Sequence, residues 1–273
     1  MKLLAAAAML ATTALAADLN PVKDAGPYVP SPQSVVADML RYADVGPNDF
    51  LIDLGSGDGR IVLTAAKVFG ARGFGVDIKE DLVKRANEAA QKEGVADRVK
   101  FVKQDLFKTD ISPATVVTMY LLPDTVNMLK DKFLTELKPG TRIVSHDYPL
   151  TGWIPEKYLQ MDLEDKIQIS GVTTTLIYLY IVPAKVAGKW EARMPPAIAK
   201  QPASLTLKQQ LTRVSGSLRL DGRDVPLEDV RLRGEHLSFR LVGHKGEFSG
   251  TVKDGAIQGM IDGKTPWSAA FRG

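Results

Sequence analysis

Apolar positions follow two different rhythms along this chain. Up to about residue 182, stretches with helical spacing alternate with short apolar runs. Val35, Val36, Met39 and Leu40 fall on one face of a helix predicted over Gln33–Tyr42, with Ser31 as its N-cap and Pro32 as its first residue. Phe50-Leu51-Ile52 predicts a strand, and Ile61–Phe69 a helix stopped by Gly70. Gly73–Val76 predicts a second strand, followed by a helix over Glu80–Lys92 with Leu82, Val83, Ala86 and Ala90 inward. Val99–Val102, Thr115–Tyr120 and Arg142–Ser145 read as further strands. Asp124 reads as the cap of one helix running to Leu137, ended by Pro139-Gly140. Lys157–Asp162 and Thr173–Val182 suit an antiparallel pair closing the sheet. Strands alternating with helices predict an α/β fold with a Rossmann-like, doubly wound sheet.

After Pro183 the helical spacing disappears. Residues 185–203 carry three prolines and read as a linker, with Trp190 as an anchor. Residues 204–273 alternate apolar and polar positions between closely spaced glycines. Asp221-Gly222, Asp254-Gly255 and Asp262-Gly263 are hairpin-turn dipeptides. This predicts a small antiparallel β-meander of roughly six to eight strands. Its buried side would hold Leu205, Leu207, Leu218, Phe239, Phe248, Ile257, Trp267 and Phe271.

The N-terminus adds a third segment. Lys2, the apolar run Leu3–Leu15 and the small residues Ala14 and Ala16 have the form of a secretory signal peptide over residues 1–16. The expectation is an exported, periplasmic protein with a mature α/β unit over 17–184. Composition narrows the chemistry. The 273 residues are 45% hydrophobic and 25% charged, ordinary globular values, and the net charge of +3 gives no case for a nucleic-acid partner. There is no cysteine, which excludes disulfides, thiolate metal sites and cysteine nucleophiles. His146, His236 and His244 lie too far apart for a metal motif, so no metal is expected.

The chemistry concentrates in Leu51–Arg60. Gly55, Gly57 and Gly59 follow the first strand at alternate positions, and Asp53 stands two residues before the first glycine. Glycine permits positive φ and close approach of a ligand to the backbone, and the helix that follows presents free N–H groups. Asp77 ends the second strand about twenty residues later, as ribose binding in such folds requires. The spacing is G-x-G-x-G, whereas dinucleotide sites use G-x-G-x-x-G. These residues resemble the class I, S-adenosylmethionine-dependent methyltransferases. The resemblance implies that Gly55 and Gly57 hold the methionine part of the cofactor and Asp77 the ribose hydroxyls. It implies that Asp53 holds the glycine loop or the cofactor's amino group. Asp105 would contact the adenine, with Leu106 or Phe107 packed on its face.

Further stretches narrow the resemblance. Pro27–Ser31, Asp105-Leu106-Phe107, Tyr120-Leu121-Leu122-Pro123 and Leu137–Arg142 are similar to the seven-strand protein lysine methyltransferases that act on the c-ring protein of ATP synthase and the adenine nucleotide translocase, with archaeal relatives. The similarity covers about Pro27–Val182. It implies that Tyr28–Ser31 fold over the cofactor, that Tyr120 borders the methyl-transfer channel, and that the acceptor is a protein lysine. The leader and the β-meander are not features of that family. The Asn/Asp-Pro-Pro-aromatic motif that grips flipped bases or amides is absent after the fourth strand. His146 and Asp147 lie on the rim where a base could sit, so Tyr120 and His146 are the catalytic candidates. A small-molecule N- or O-methyltransferase stays open at this point. So does a non-catalytic nucleoside-binding protein, and so does a partner-binding role for the β-meander.

Overall fold

A computed structural model describes residues 27–199 and 201–273. The predicted leader lies outside the described residues. The first helix, α1 (Gln33–Tyr42), buries the four expected apolar residues. Strand β1 (Phe50–Leu54), helix α2 (Arg60–Phe69), strand β2 (Arg72–Asp77), helix α3 (Glu80–Lys92) and strand β3 (Val99–Lys103) follow. Next come β4 (Val116–Met119), α4 (Pro123–Met128), α5 (Lys130–Glu136), β5 (Arg142–His146), β6 (Lys157–Asp162) and β7 (Thr174–Ile181). The sheet order is β3-β2-β1-β4-β5-β7-β6, with β7 antiparallel to both its neighbours. Helices α1–α3 cover one face of this sheet, over a core that includes Met39, Leu51 and Val62. The other face packs Ile52, Met119, Phe133 and Tyr180.

The single helix expected from Asp124 to Leu137 is two. Leu122 takes the N-cap position and Pro123 opens α4. At Leu129 the N–H bonds back three residues to Val126, which interrupts the helix before α5.

The linker expectation fails over Gly188–Arg193, which form strand β8. With β9 (Ala203–Gln210), β10 (Arg213–Leu220), β11 (Arg223–Arg233), β12 (His236–Leu241), β13 (Glu247–Lys253), β14 (Ala256–Ile261) and β15 (Thr265–Phe271), it closes an eight-stranded antiparallel barrel. Without β8 the meander would expose two edges; closure removes them. Trp190 is therefore barrel core, 2% exposed. Seven of the eight predicted core residues are buried. Phe271 is the exception: it shares the inward face with its strand partner Trp190, ring centroids 5.1 Å apart, but stands at the end of β15 and is 45% exposed. Gly259 makes room for the indole of Trp267: a Cβ there would stand 2.5 Å from its Nε1.

The barrel meets the α/β unit at one end. Ala184 donates to the carbonyl of Gly234, Gly234 lies against Gly140, and Arg233 pairs with Glu156 at 2.7 Å. Gly140 precedes β5, so this contact is at the N-terminal edge of the parallel strands. Ligands of open α/β sheets bind at the opposite, C-terminal edge. Among the described residues no helix is long and apolar enough to cross a membrane.

Candidate active site

At the C-terminal edge of the sheet, β1 runs into the glycine turn. Gly55, Gly57 and Gly59 all have positive φ (81°, 54° and 85°), and Gly59 is the left-handed N-cap of α2. The amides of Gly55 and Ser56 both bond to the Val76 carbonyl, which ties the turn to β2. Asp77 braces the turn from β2: its Oδ2 accepts the N–H of Gly57 and its Oδ1 that of Lys79, both at 2.9 Å. Each oxygen keeps a second acceptor direction for a ligand.

Over this turn lies the strap Pro27–Ser31. It is fixed at three points. The Tyr28 ring sits on Gly57 so closely that a Cβ there would stand 2.4 Å from it. Arg60 holds the Ser31 carbonyl at 2.7 Å while gripping Asp58 through Nε and Nη2 at 2.9 and 2.6 Å. Ser31 Oγ shares a 2.8 Å hydrogen bond with His146 Nδ1 at the end of β5. Burial pushes Asp58 up, but its bonds to Arg60 and to Tyr28 outweigh this and hold it below the usual carboxylate range. Burial, then Asp58, raises the Tyr28 phenol above its ordinary value.

Strap and turn enclose a cleft of about 770 Å³, counting its solvent mouth. Tyr28, Ser31, Asp53, Gly55, Gly57, Asp77, Leu106 and Tyr120 all line it. Asp105 does not. Its Oδ1 is turned to the Phe107 amide at 2.9 Å, and Gln104 stands in the wall instead. His146 is outside the lining as well, 0% exposed beneath Ser31. Ser56, Asp58, Arg60, Ile78 and Lys79 line the cleft but were not singled out from the sequence. Asp58 and Arg60 carried a signal: an acid and a base two apart at a helix N-terminus.

Two electrostatic features stand out. Asp53 is 2% exposed, and its Oδ1 accepts from Thr118 at 2.7 Å. Burial drives its carboxyl up to about 7, Thr118 opposes this, and Asp77 and Asp58 add to it. A cationic ligand group in the cleft would supply the missing countercharge. His146 moves the other way. Burial lowers it to about 4, Asp147 opposes, and Lys166 adds to the lowering, so the imidazole is neutral at pH 7. Tyr120 lies tilted against it, ring centroids 4.0 Å apart, and Tyr148 is near-parallel to Tyr120 at 6.4 Å. Burial, then Asp147, raises the Tyr120 phenol well beyond its ordinary value.

The cleft fits S-adenosylmethionine on these observations. It offers a glycine-lined wall at Gly55 and Gly57, the braced carboxylate of Asp77, the charge-hungry Asp53, and a buried Ser56 hydroxyl without a protein partner. Sheet order, glycine turn and capping strap together define a class I S-adenosylmethionine-dependent methyltransferase. The ANTKMT methyltransferase domain model matches residues 53–157. A protein-lysine N-methyltransferase of Saccharolobus islandicus is 43% identical over 157 residues, 57% of this chain and 93% of that protein. An adenine nucleotide translocase lysine N-methyltransferase of Mus musculus is 34% identical over 129 residues, 47% of this chain and 56% of that protein. A crystal structure from Salinibacter ruber, described as an RNA methyltransferase with S-adenosyl-L-homocysteine, is 47% identical. It covers 58% of this chain and 96% of its own, with a TM-score of 0.52. The chain belongs to the methyltransferase family of the Saccharolobus protein. It spans little more than half the length of the mouse relative.

Bound in this cleft, the cofactor supplies an electrophilic sulfonium methyl group. The chain's own residues position and desolvate. Asp77 would offer its free acceptor directions to the ribose hydroxyls, and Asp53 would face a cationic group of the cofactor. Tyr28 and the strap exclude water from the glycine turn, which strengthens every polar contact beneath them.

Proposed function

We propose that this enzyme transfers methyl groups to lysine side chains of a protein. The observation that carries this reading is the wall beyond the cofactor cleft. Tyr120 lines the cleft, packs at a tilt against a neutral imidazole, and continues into Tyr148. An amine attacks only when deprotonated, and a desolvated aromatic wall favours that form. Aromatic faces also hold a methylated ammonium. Tyr120 and, behind it, His146 are the groups in contact with this wall; a neutral His146 orders Ser31 and Tyr120 rather than carrying charge. The names of the Saccharolobus and mouse relatives support the same acceptor. The test is incubation of the enzyme and methyl-labelled cofactor with extract from cells lacking the gene. Label in protein, recovered as methyl-lysine after hydrolysis, supports the reading. Label confined to RNA or to small molecules contradicts it.

Two further proposals concern the rest of the chain. The barrel, with 14 Lys and Arg against 9 Asp and Glu over residues 188–273, recruits the protein partner. The leader directs export to the periplasm, so native protein should begin near Ala17; an intact Met1 on native protein would contradict this.

A further inference from the structure

A second site lies one phenol ring away from the cofactor cleft. Asp147 follows β5 with φ 62°, a left-handed conformation that a non-glycine residue adopts at a cost. Its Oδ1 accepts the Leu176 amide at 3.1 Å. Its carboxylate also receives Lys166 Nζ, at 2.8 Å on Oδ1 and 2.7 Å on Oδ2, and the Tyr120 hydroxyl. The same Nζ donates to the Thr174 carbonyl. The Lys166 side chain is 5% exposed. Beside it His146 Nε2, fully buried, has no hydrogen-bond partner and lies 3.7 Å from Asp147 Oδ1. The group is therefore a desolvated primary-ammonium site: a carboxylate, a carbonyl, a phenol and an unused imidazole nitrogen. Its present occupant comes from the segment between β6 and β7, at the same edge of the sheet as the cleft.

A buried ion pair is weak support for stability, because the charges lose most of what they gain to desolvation. Its placement against a wall of the cofactor cleft suggests use. We propose that Asp147 is the ammonium-binding carboxylate of the acceptor subsite and that Lys166 is a stand-in for the acceptor lysine, withdrawn when a substrate lysine enters. The inference rests on the lysine reading above. Tyr120 then borders both sites: Asp147 receives the acceptor as its ammonium and takes its proton, and the neutral amine moves past the Tyr120 ring to the sulfonium methyl carbon, forming the C–N bond as the C–S bond breaks. Lys166 competes with substrate, so removing it should favour substrate binding without altering the cofactor's contacts.

The experiment uses the full chain saturated with S-adenosylhomocysteine. In Lys166→Gly, n-butylammonium should bind saturably, at least about tenfold more tightly than its neutral isostere n-butanol. Wild type and Lys166→Gly/Asp147→Asn should show no such preference. In turnover, Lys166→Met, which keeps the buried stem, should lower KM for a lysine-bearing peptide by about tenfold. Its cofactor affinity should not change. Equal binding of amine and alcohol, or an unchanged peptide KM in the folded Met variant, overturns the proposal. Selective amine binding with no transfer to lysine by any form supports the ammonium subsite and contradicts the lysine reading.

Discussion

At the scale of single residues, Asp53 carries the clearest physical signature. Its carboxyl is raised from 3.8 to about 7 by burial. A group that binds protons more tightly when folded stabilises the fold at low pH and loses that contribution as pH rises through the folded value. His146 has the opposite sign: its stabilisation is present above about 6.5 and lost as pH falls toward 4. The two oppose each other in wild type, so the difference between wild type and Asp53→Asn isolates the carboxylate. The Asn variant keeps an acceptor for Thr118. Its stability relative to wild type should grow from pH 4 to pH 7.5, to on the order of 2–4 kcal/mol, in urea melts without cofactor. Its cofactor affinity should fall. A stability difference independent of pH would mean that Asp53 is ionised throughout. Asp77 makes a simpler prediction. Asp77→Ala removes the brace on Gly57 and, on the account proposed, the ribose acceptor, so affinity for S-adenosylhomocysteine should drop roughly ten- to a hundredfold by calorimetry. Asp77 was legible because its place at the end of β2 follows from spacing alone. Asp105 was legible by position, yet its side chain caps its own turn, which only the backbone geometry of 105–107 reveals.

At the scale of elements, the strap and the glycine turn form one device. The strap has no regular structure of its own and is positioned by Gly57 of the turn, Arg60 of α2 and His146 of β5. Gly57→Ala tests it most sharply. The residue has φ 54°, and its Cβ would enter the Tyr28 ring. The variant should keep its fold, because Gly57 lies in the turn between β1 and α2 and belongs to neither, and should lose cofactor binding by more than tenfold. Wild-type affinity in that variant would mean that Tyr28 is not held over the turn. Apart from the break between α4 and α5, the main strands and helices of the α/β unit were readable to within about two residues, because burial on one or two faces leaves a periodic record. The tethers of the strap were not, since each joins residues far apart in sequence. The closing strand β8 was missed for a related reason. Prolines around it signal a linker, while its pairing with both β15 and β9 is a long-range fact.

At the scale of the whole molecule, cofactor cleft and barrel sit at opposite edges of one sheet. Every lining residue of the cleft lies between Pro27 and Leu121. The barrel has its own core, with Phe239 and Phe248 stacked at 5.0 Å and Trp267 edge-on to both. Phe248→Ala should therefore cost about 3–5 kcal/mol in the barrel's own unfolding transition. It should leave affinity for S-adenosylhomocysteine within about twofold of wild type. Coupled loss of both would show that the barrel supports the cleft. The central claim is that this cleft methylates lysine, and intact-mass spectrometry of a defined lysine-bearing protein tests it most directly. With enzyme and cofactor, the account predicts whole methyl increments that map to lysine and vanish when the lysines are acetylated beforehand or when Gly57→Ala replaces wild type. Methyl increments that survive lysine acetylation, or none on any lysine-bearing protein from an enzyme shown to bind cofactor, would contradict it.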